Sequence, residues 1–127
     1  MARIERIMVP GQLEPLSHYC HVVRAGSQVW ISGAVGIGPD GGIPADTVRQ
    51  FELAIANLDA CLKAAGGRPE HVVKVNLYLT DVNDRGRINP IRQRYFGEHR
   101  PASTLVGVTA LALPGLKVEI EAEAVLP

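Results

Sequence analysis

The sequence predicts an α+β fold, a single sheet of about six strands with two helices on one face, in the order β-β-β-α-β-α-β-β. Three observations lead there. Short runs that alternate apolar and polar residues recur between glycine- and proline-rich breaks. One long segment repeats its apolar residues every three to four positions, and a second, shorter helical segment follows a lone strand. The 127 residues suffice for one domain, taken as 1–127, with no internal repeat. Hydrophobic residues make up 46% and aromatics only 5%, so the core must be built from closely packed Val, Ile, Leu and Ala.

Ile4 to Val9 reads as an edge strand closed by Pro10-Gly11, and Glu14-Pro15 keeps the next residues out of a helix. Tyr19 to Arg24 and Gln28 to Gly33 flank Ala25-Gly26-Ser27 as a hairpin. The tract Gly33 to Gly42 is too rich in glycine for regular structure. Asp46 is suited to cap a helix whose inner face is Val48, Phe51, Ile55, Leu58, Leu62 and Ala65, ending at Gly66-Gly67. Val73, Val75, Leu77 and Leu79 then alternate with Lys74, Asn76, Tyr78 and Thr80 as a strand. Because proline breaks helix interiors, the second helix is expected to begin with Asn89 as cap and Pro90 in its first position, with Ile91, Tyr95 and Phe96 inward. Thr104 to Thr109 and Leu116 to Val125 complete the sheet around Leu113-Pro114-Gly115. Two helices cover only one sheet face, yet strands such as Gln28-Val-Trp-Ile-Ser carry apolar residues on both. A second copy of the chain is the simplest cover, and a closed oligomer would create clefts between subunits.

Thirteen basic and thirteen acidic residues cancel, which argues against nucleic acid and against an anionic membrane surface as partners. No apolar stretch approaches a membrane span, and the start lacks a signal-like apolar run, so a soluble, cytoplasmic protein is expected. Cys20 and Cys61 form no C-x-x-C or Cys/His cluster and read as small buried hydrophobes. His18 and His21, three apart on a strand, point to opposite faces, and His71 and His99 lack a ligand-spaced neighbour, so no metal is expected. The glycine tract lacks the Lys-Ser/Thr ending of a phosphate loop, and Ser32 is not flanked as a nucleophile elbow. Arg85, Arg87, Arg92, Arg94 and Arg100 give a basic region, either a solvated face or, through one arginine reaching a cleft, a holder for a carboxylate.

The segment richest in chemistry is Val118-Glu119-Ile120-Glu121-Ala122-Glu123-Ala124-Val125. As a strand it puts three carboxylates on one face, same-face neighbours ~7 Å apart. Two such charges repel by about 0.6 kcal/mol in water and about 2.4 kcal/mol at an effective dielectric near 20, so a cleft would shift a pKa where bulk solvent would not. A solvated face and a general acid/base in a subunit cleft are both open readings.

Several tracts together resemble the Rid (reactive intermediate deaminase), or YjgF, family, also known as endoribonuclease L-PSP. They are Trp30-Ile-Ser-Gly-Ala, Gln50 with Ala56-Asn57-Leu58 through Gly66, Val72-Val73-Lys74-Val75 with Tyr78-Leu79-Thr80-Asp81, Ile88-Asn89 with Tyr95-Phe96, Arg100-Pro101-Ala102, and Val118 to Ala122. The resemblance implies the fold shared with bacterial chorismate mutases, assembled as a homotrimeric barrel with active sites between subunits. It implies hydrolysis of an imine or enamine to a carbonyl product and ammonia, without a cofactor. Glu119, Tyr19 and Ser32 match catalytic-cleft positions, and Gly33 and Asn89 match substrate-binding ones. Where the deaminating branch has an arginine that clamps the substrate carboxylate, this chain has Ser103, and it has Leu105 for a cysteine, Ala34 for a glutamine and Arg92 for a tyrosine. Losing the clamp would remove about 2–5 kcal/mol of binding from an uncompensated carboxylate, so the substrate is expected to differ from the common 2-imino acids. Arg92 is a candidate to replace the lost charge. The other expectation is a trimer that binds a small metabolite or regulates without catalysis; ribonuclease activity is disfavoured by zero net charge and the lack of a paired histidine.

Overall fold

A computed structural model describes residues 2–127. Its strands are β1 (Ile4–Ile7), β2 (Val22–Ala25), β3 (Gln28–Val35), β4 (Val72–Leu79), β5 (Ala102–Gly107) and β6 (Val118–Val125), and its helices α1 (Thr47–Ala64) and α2 (Arg85–Phe96). They follow the expected order. The strands form one mixed sheet, β1-β2-β3-β6-β4-β5, antiparallel except for the β4/β5 pair that α2 connects. The last strand therefore lies in the middle of the sheet, paired on both sides.

The core lies between the sheet and α1. Phe51, Leu58 and Leu62 of α1 are fully buried, as are Val75, Leu77 and Leu79 of β4 and Val118 and Ile120 of β6. Ala122 and Ala124 are small enough to let α1 approach the central strand, and α2 adds Ile88, Ile91 and Phe96. The Asp46 carboxylate accepts the Arg49 backbone N–H at 3.2 Å and caps the start of α1. At the other end Gly66, at φ +86°, allows Gly66 N–H and Gly67 N–H to reach the Lys63 and Leu62 carbonyls. Arg87 bonds to both Asp46 and Asp84, and Thr47 donates to Asp84, which fastens the starts of the two helices together.

Several boundaries depart from the sequence reading. The second helix begins at Arg85, not at Asn89, and Pro90 lies within it. The carbonyl that a proline ring crowds is four residues back; here that residue is Gly86, which has open space around it and adapts more readily than a bulkier residue. Tyr19, Cys20 and His21 precede β2, so His18 and His21 do not lie on a strand. A bulge between Val72 and Lys74 turns Val73 outward to 45% exposure, and β5 starts two residues earlier than expected. Cys61 is buried, but Cys20 is only half-buried.

The face of the sheet away from the helices is mixed, not apolar throughout. It carries Trp30 and Val106 together with Asn76, Tyr78, Glu119, Glu121 and Glu123.

Candidate functional site

Glu119 stands on β6 opposite Val35 of β3 and Tyr78 of β4, between two strands and on the open face. The three carboxylates of this strand have separate fates. Glu121 accepts the Tyr78 hydroxyl at 2.6 Å and the Asn76 amide at 3.0 Å, so its charge is held in place, and it pushes the Tyr78 pKa up to about 12. Glu123 is exposed. Glu119 is half-buried, and among the described residues its carboxylate accepts no hydrogen bond. Burial, then repulsion from Glu121, raises its pKa above the ordinary carboxylate value.

The Glu119 side chain lies against the backbone of Gly33. A methyl group at residue 33 would sit 2.7 Å from the Glu119 carboxyl carbon, so any larger residue would displace the acid. Gly33 and Ser32 occupy the irregular step of β3, between Ile31 and Ala34 in its pairing with β6. Ser32 donates its hydroxyl to the Cys20 carbonyl at 2.7 Å, and its N–H bonds to the His21 carbonyl at 3.0 Å. With its proton engaged, the Ser32 oxygen offers lone pairs only.

A cleft of about 100 Å³ opens beside these residues, between β3 and the segment 11–19, lined among others by Tyr19, His21, Ser32, Gly33 and Asn57. It has room for several waters or part of a small metabolite. Tyr19 is 46% exposed, and its oxygen accepts the Leu16 N–H at a long 3.4 Å, leaving its hydroxyl proton available to a ligand.

The overlying segment is held by a residue whose role was not legible in the sequence. His21 accepts the Val9 N–H at Nδ1, 2.8 Å, and its Nε2 lies 2.9 Å from the Leu13 carbonyl. An accepting Nδ1 places the ring proton on Nε2, which donates it to the Leu13 carbonyl. Gln12 and Asn57 continue the attachment: Gln12 donates to the Asn57 carbonyl, and Asn57 donates to the carbonyls of Val35 and Ile37.

The remaining predicted residues gather elsewhere. Arg92 of α2 donates from Nη2 to the Ser103 hydroxyl of β5 at 2.9 Å, Leu105 packs against the core two residues further along β5, and Asn89 is exposed one turn before Arg92. β5 is separated from β3 by β6 and β4, roughly 14 Å across the sheet. Within one chain the predicted residues therefore form two groups, Tyr19, Ser32, Gly33 and Glu119 in one and Asn89, Arg92, Ser103 and Leu105 in the other.

A six-stranded mixed sheet in this order, with two helices on one face and a charged central strand, defines a small α+β class with many solved members. Residues 10–126 match the family described as Endoribonuclease L-PSP, and the chain belongs to that family, also called Rid or YjgF. The 2-iminobutanoate/2-iminopropanoate deaminase of Mus musculus is 40% identical over 124 residues, 96% of this chain and 89% of the mouse protein. The YjgF gene product of Escherichia coli superposes with a TM-score of 0.88 at 30% identity, covering 95% of this chain and 98% of the other. The Rid family protein YyfA of Yersinia pestis gives 0.91 at 28% identity, covering 98% and 100%. These likenesses establish the fold and a Rid-type protein in general terms.

Proposed function

We propose that this chain is a Rid-type hydrolase that deaminates an imine or enamine, with a substrate other than the common 2-imino acids, and that it works as a homotrimer. The observation that carries the reading is the state of Glu119: a carboxyl half out of water, without a hydrogen-bonding partner among the described residues, with a raised pKa, packed against Gly33, which with Ser32 and Tyr19 lines the neighbouring cleft. A group that gains and loses a proton readily is what imine hydrolysis needs. As the water oxygen bonds to the imine carbon, Glu119 takes a proton from the water and the C=N electrons move to nitrogen. Glu119 then returns the proton to that nitrogen, giving a carbinolamine; it next takes the carbinolamine's hydroxyl proton and passes it to the amine, so that as the O–H electrons form the carbonyl the C–N bond breaks and ammonia leaves. Ser32, able only to accept, suits a water or substrate N–H, and Tyr19 supplies a donor. The two separated groups of residues support a site closed by a neighbouring copy, whose β5 would lie where this chain's own cannot.

Ammonia release from a panel of freshly generated imines tests the proposal. Glu119→Gln should lower kcat at least a hundredfold with assembly unchanged; full activity in that variant would remove Glu119 from the mechanism. A trimer that binds a metabolite without turning it over is the second reading, favoured by Ser103 in the place of the carboxylate-clamping arginine. Saturable ligand binding with no ammonia from any imine would select it.

A further inference from the structure

Arg92 differs from the other arginines whose contacts are resolved. Arg49, Arg68 and Arg87 each pair with a carboxylate, and Arg24 is satisfied by the carbonyls of Gly26 and Ala65. Arg92 is half-buried, has no carboxylate within ion-pair distance among the described residues, and bonds only to the Ser103 hydroxyl. Burial lowers its pKa, which marks a charge held partly out of water without compensation. A guanidinium has five N–H donors in a planar fork, and one engaged Nη2 leaves donors for a planar anion. Ser103 adds a hydroxyl, Asn89 stands one helical turn away, and Leu105 supplies an apolar wall.

We infer that Arg92 and Ser103 form a carboxylate-binding subsite, and that it selects an imine or enamine whose carboxylate is separated from the reacting carbon by several bonds. The inference rests on the deaminase reading for its reacting group, but the anion site stands on Arg92 alone. The length preference follows from where the charge sits. An arginine at position 103 would project its guanidinium a full side-chain length away from β5. Here the guanidinium comes from α2 to within hydrogen-bond distance of a serine oxygen one bond from its Cβ, so the charge sits closer to the strand than that of an arginine extended from position 103 would. In the proposed assembly a 2-imino acid, whose carboxylate is bonded to the imine carbon, would be too short to span from this charge to Glu119 of a neighbouring copy.

Calorimetric binding to the full chain provides the test, with 5-oxohexanoate, its neutral counterpart 5-oxohexanamide, and 2-oxobutanoate as probes. The expected result is at least tenfold tighter binding of 5-oxohexanoate than of either other probe. Arg92→Gln should erase the preference for acid over amide, Arg92→Lys should keep part of it, and Ser103→Arg should shift preference toward 2-oxobutanoate. Thermal melts of each variant separate lost binding from lost folding, and Ser103→Ala, which leaves Arg92 in place, should weaken the acid by severalfold. Equal binding of acid and amide, a preference that survives Arg92→Gln, or a preference of the unmodified chain for 2-oxobutanoate would overturn the subsite. If no imine releases ammonia while Arg92-dependent acid binding persists, the deaminase reading fails and the subsite stands. Turnover of neutral imines with no acid preference would overturn the subsite and leave the deaminase reading intact.

Discussion

Glu119 and Glu121 are identical residues on one face of one strand, and their surroundings give them different work. Glu121 is tied down by Tyr78 and Asn76, so its fixed charge acts on Glu119, whose carboxylate lies against Gly33 and accepts no hydrogen bond among the described residues. A stability effect follows with a definite sign. The folded state raises the Glu119 pKa above its ordinary value near 4.5, so the fold favours the protonated form. The resulting contribution is fully present below that ordinary value and is lost as pH climbs through the raised one. Glu119→Gln should therefore flatten this part of the stability curve and melt no lower than the unmodified chain above pH 7. Because the group is half-exposed, the gain should stay under about 1 kcal/mol, a few degrees in Tm, read by thermal melts from pH 4 to 8. The alternation in the sequence placed these carboxylates on one face but could not say which one was tied. That depended on Asn76 and Tyr78, more than forty residues away.

At the scale of elements, periodicity gave α1, β4 and the order of all eight segments, while chain ends and irregular steps were hidden. Pro90 argues for a late start to α2, since sequence spacing does not reveal that Gly86 relieves the crowded carbonyl. Ile88 falls outside the expected helix for that reason, although it is fully buried. Gln50 shows the same limit: a polar residue amid the apolar spacing of α1 would pass for a solvent position, yet it is fully buried. Its amide nitrogen donates to the Pro44 and Gly115 carbonyls at 2.7 and 2.8 Å, and its oxygen accepts the Lys117 N–H at 2.8 Å. These bonds tie the loop before α1 to the turn that leads into β6. Gln50→Leu keeps the volume but leaves three backbone groups unpaired, and should cost about 2–4 kcal/mol in urea unfolding. It should also lower turnover, because β6 carries Glu119; unchanged stability would mean that the two loops hold together without it.

For the molecule as a whole, the open face of the sheet is what the proposed assembly must account for. Its mixture of Trp30, Val106, Asn76, Tyr78 and the acidic row is too apolar to be an ordinary solvated surface and too polar for a monomer's core. The residues proposed to hold one substrate are divided between β3/β6 and the β5 edge, a separation one small molecule does not bridge. In the proposed trimer, packing copies around their open faces would resolve both difficulties and take Glu119 further from water, moving its pKa in the direction the proposed chemistry needs. Sedimentation at micromolar concentration should accordingly give three times the 13.7 kDa chain mass, with emission from Trp30, the only tryptophan, shifted to the blue of a solvated indole. Trp30 is 40% exposed in the single chain, so its replacement by aspartate removes little from the core beneath α1 but puts a charge on the covering face. Trp30→Asp should sediment at the mass of one chain, retain the far-ultraviolet dichroism of the folded protein, and release no ammonia. A chain that sediments at 13.7 kDa while fully active would mean that the site closes within one copy and that the roughly 14 Å between its two halves is bridged in some other way.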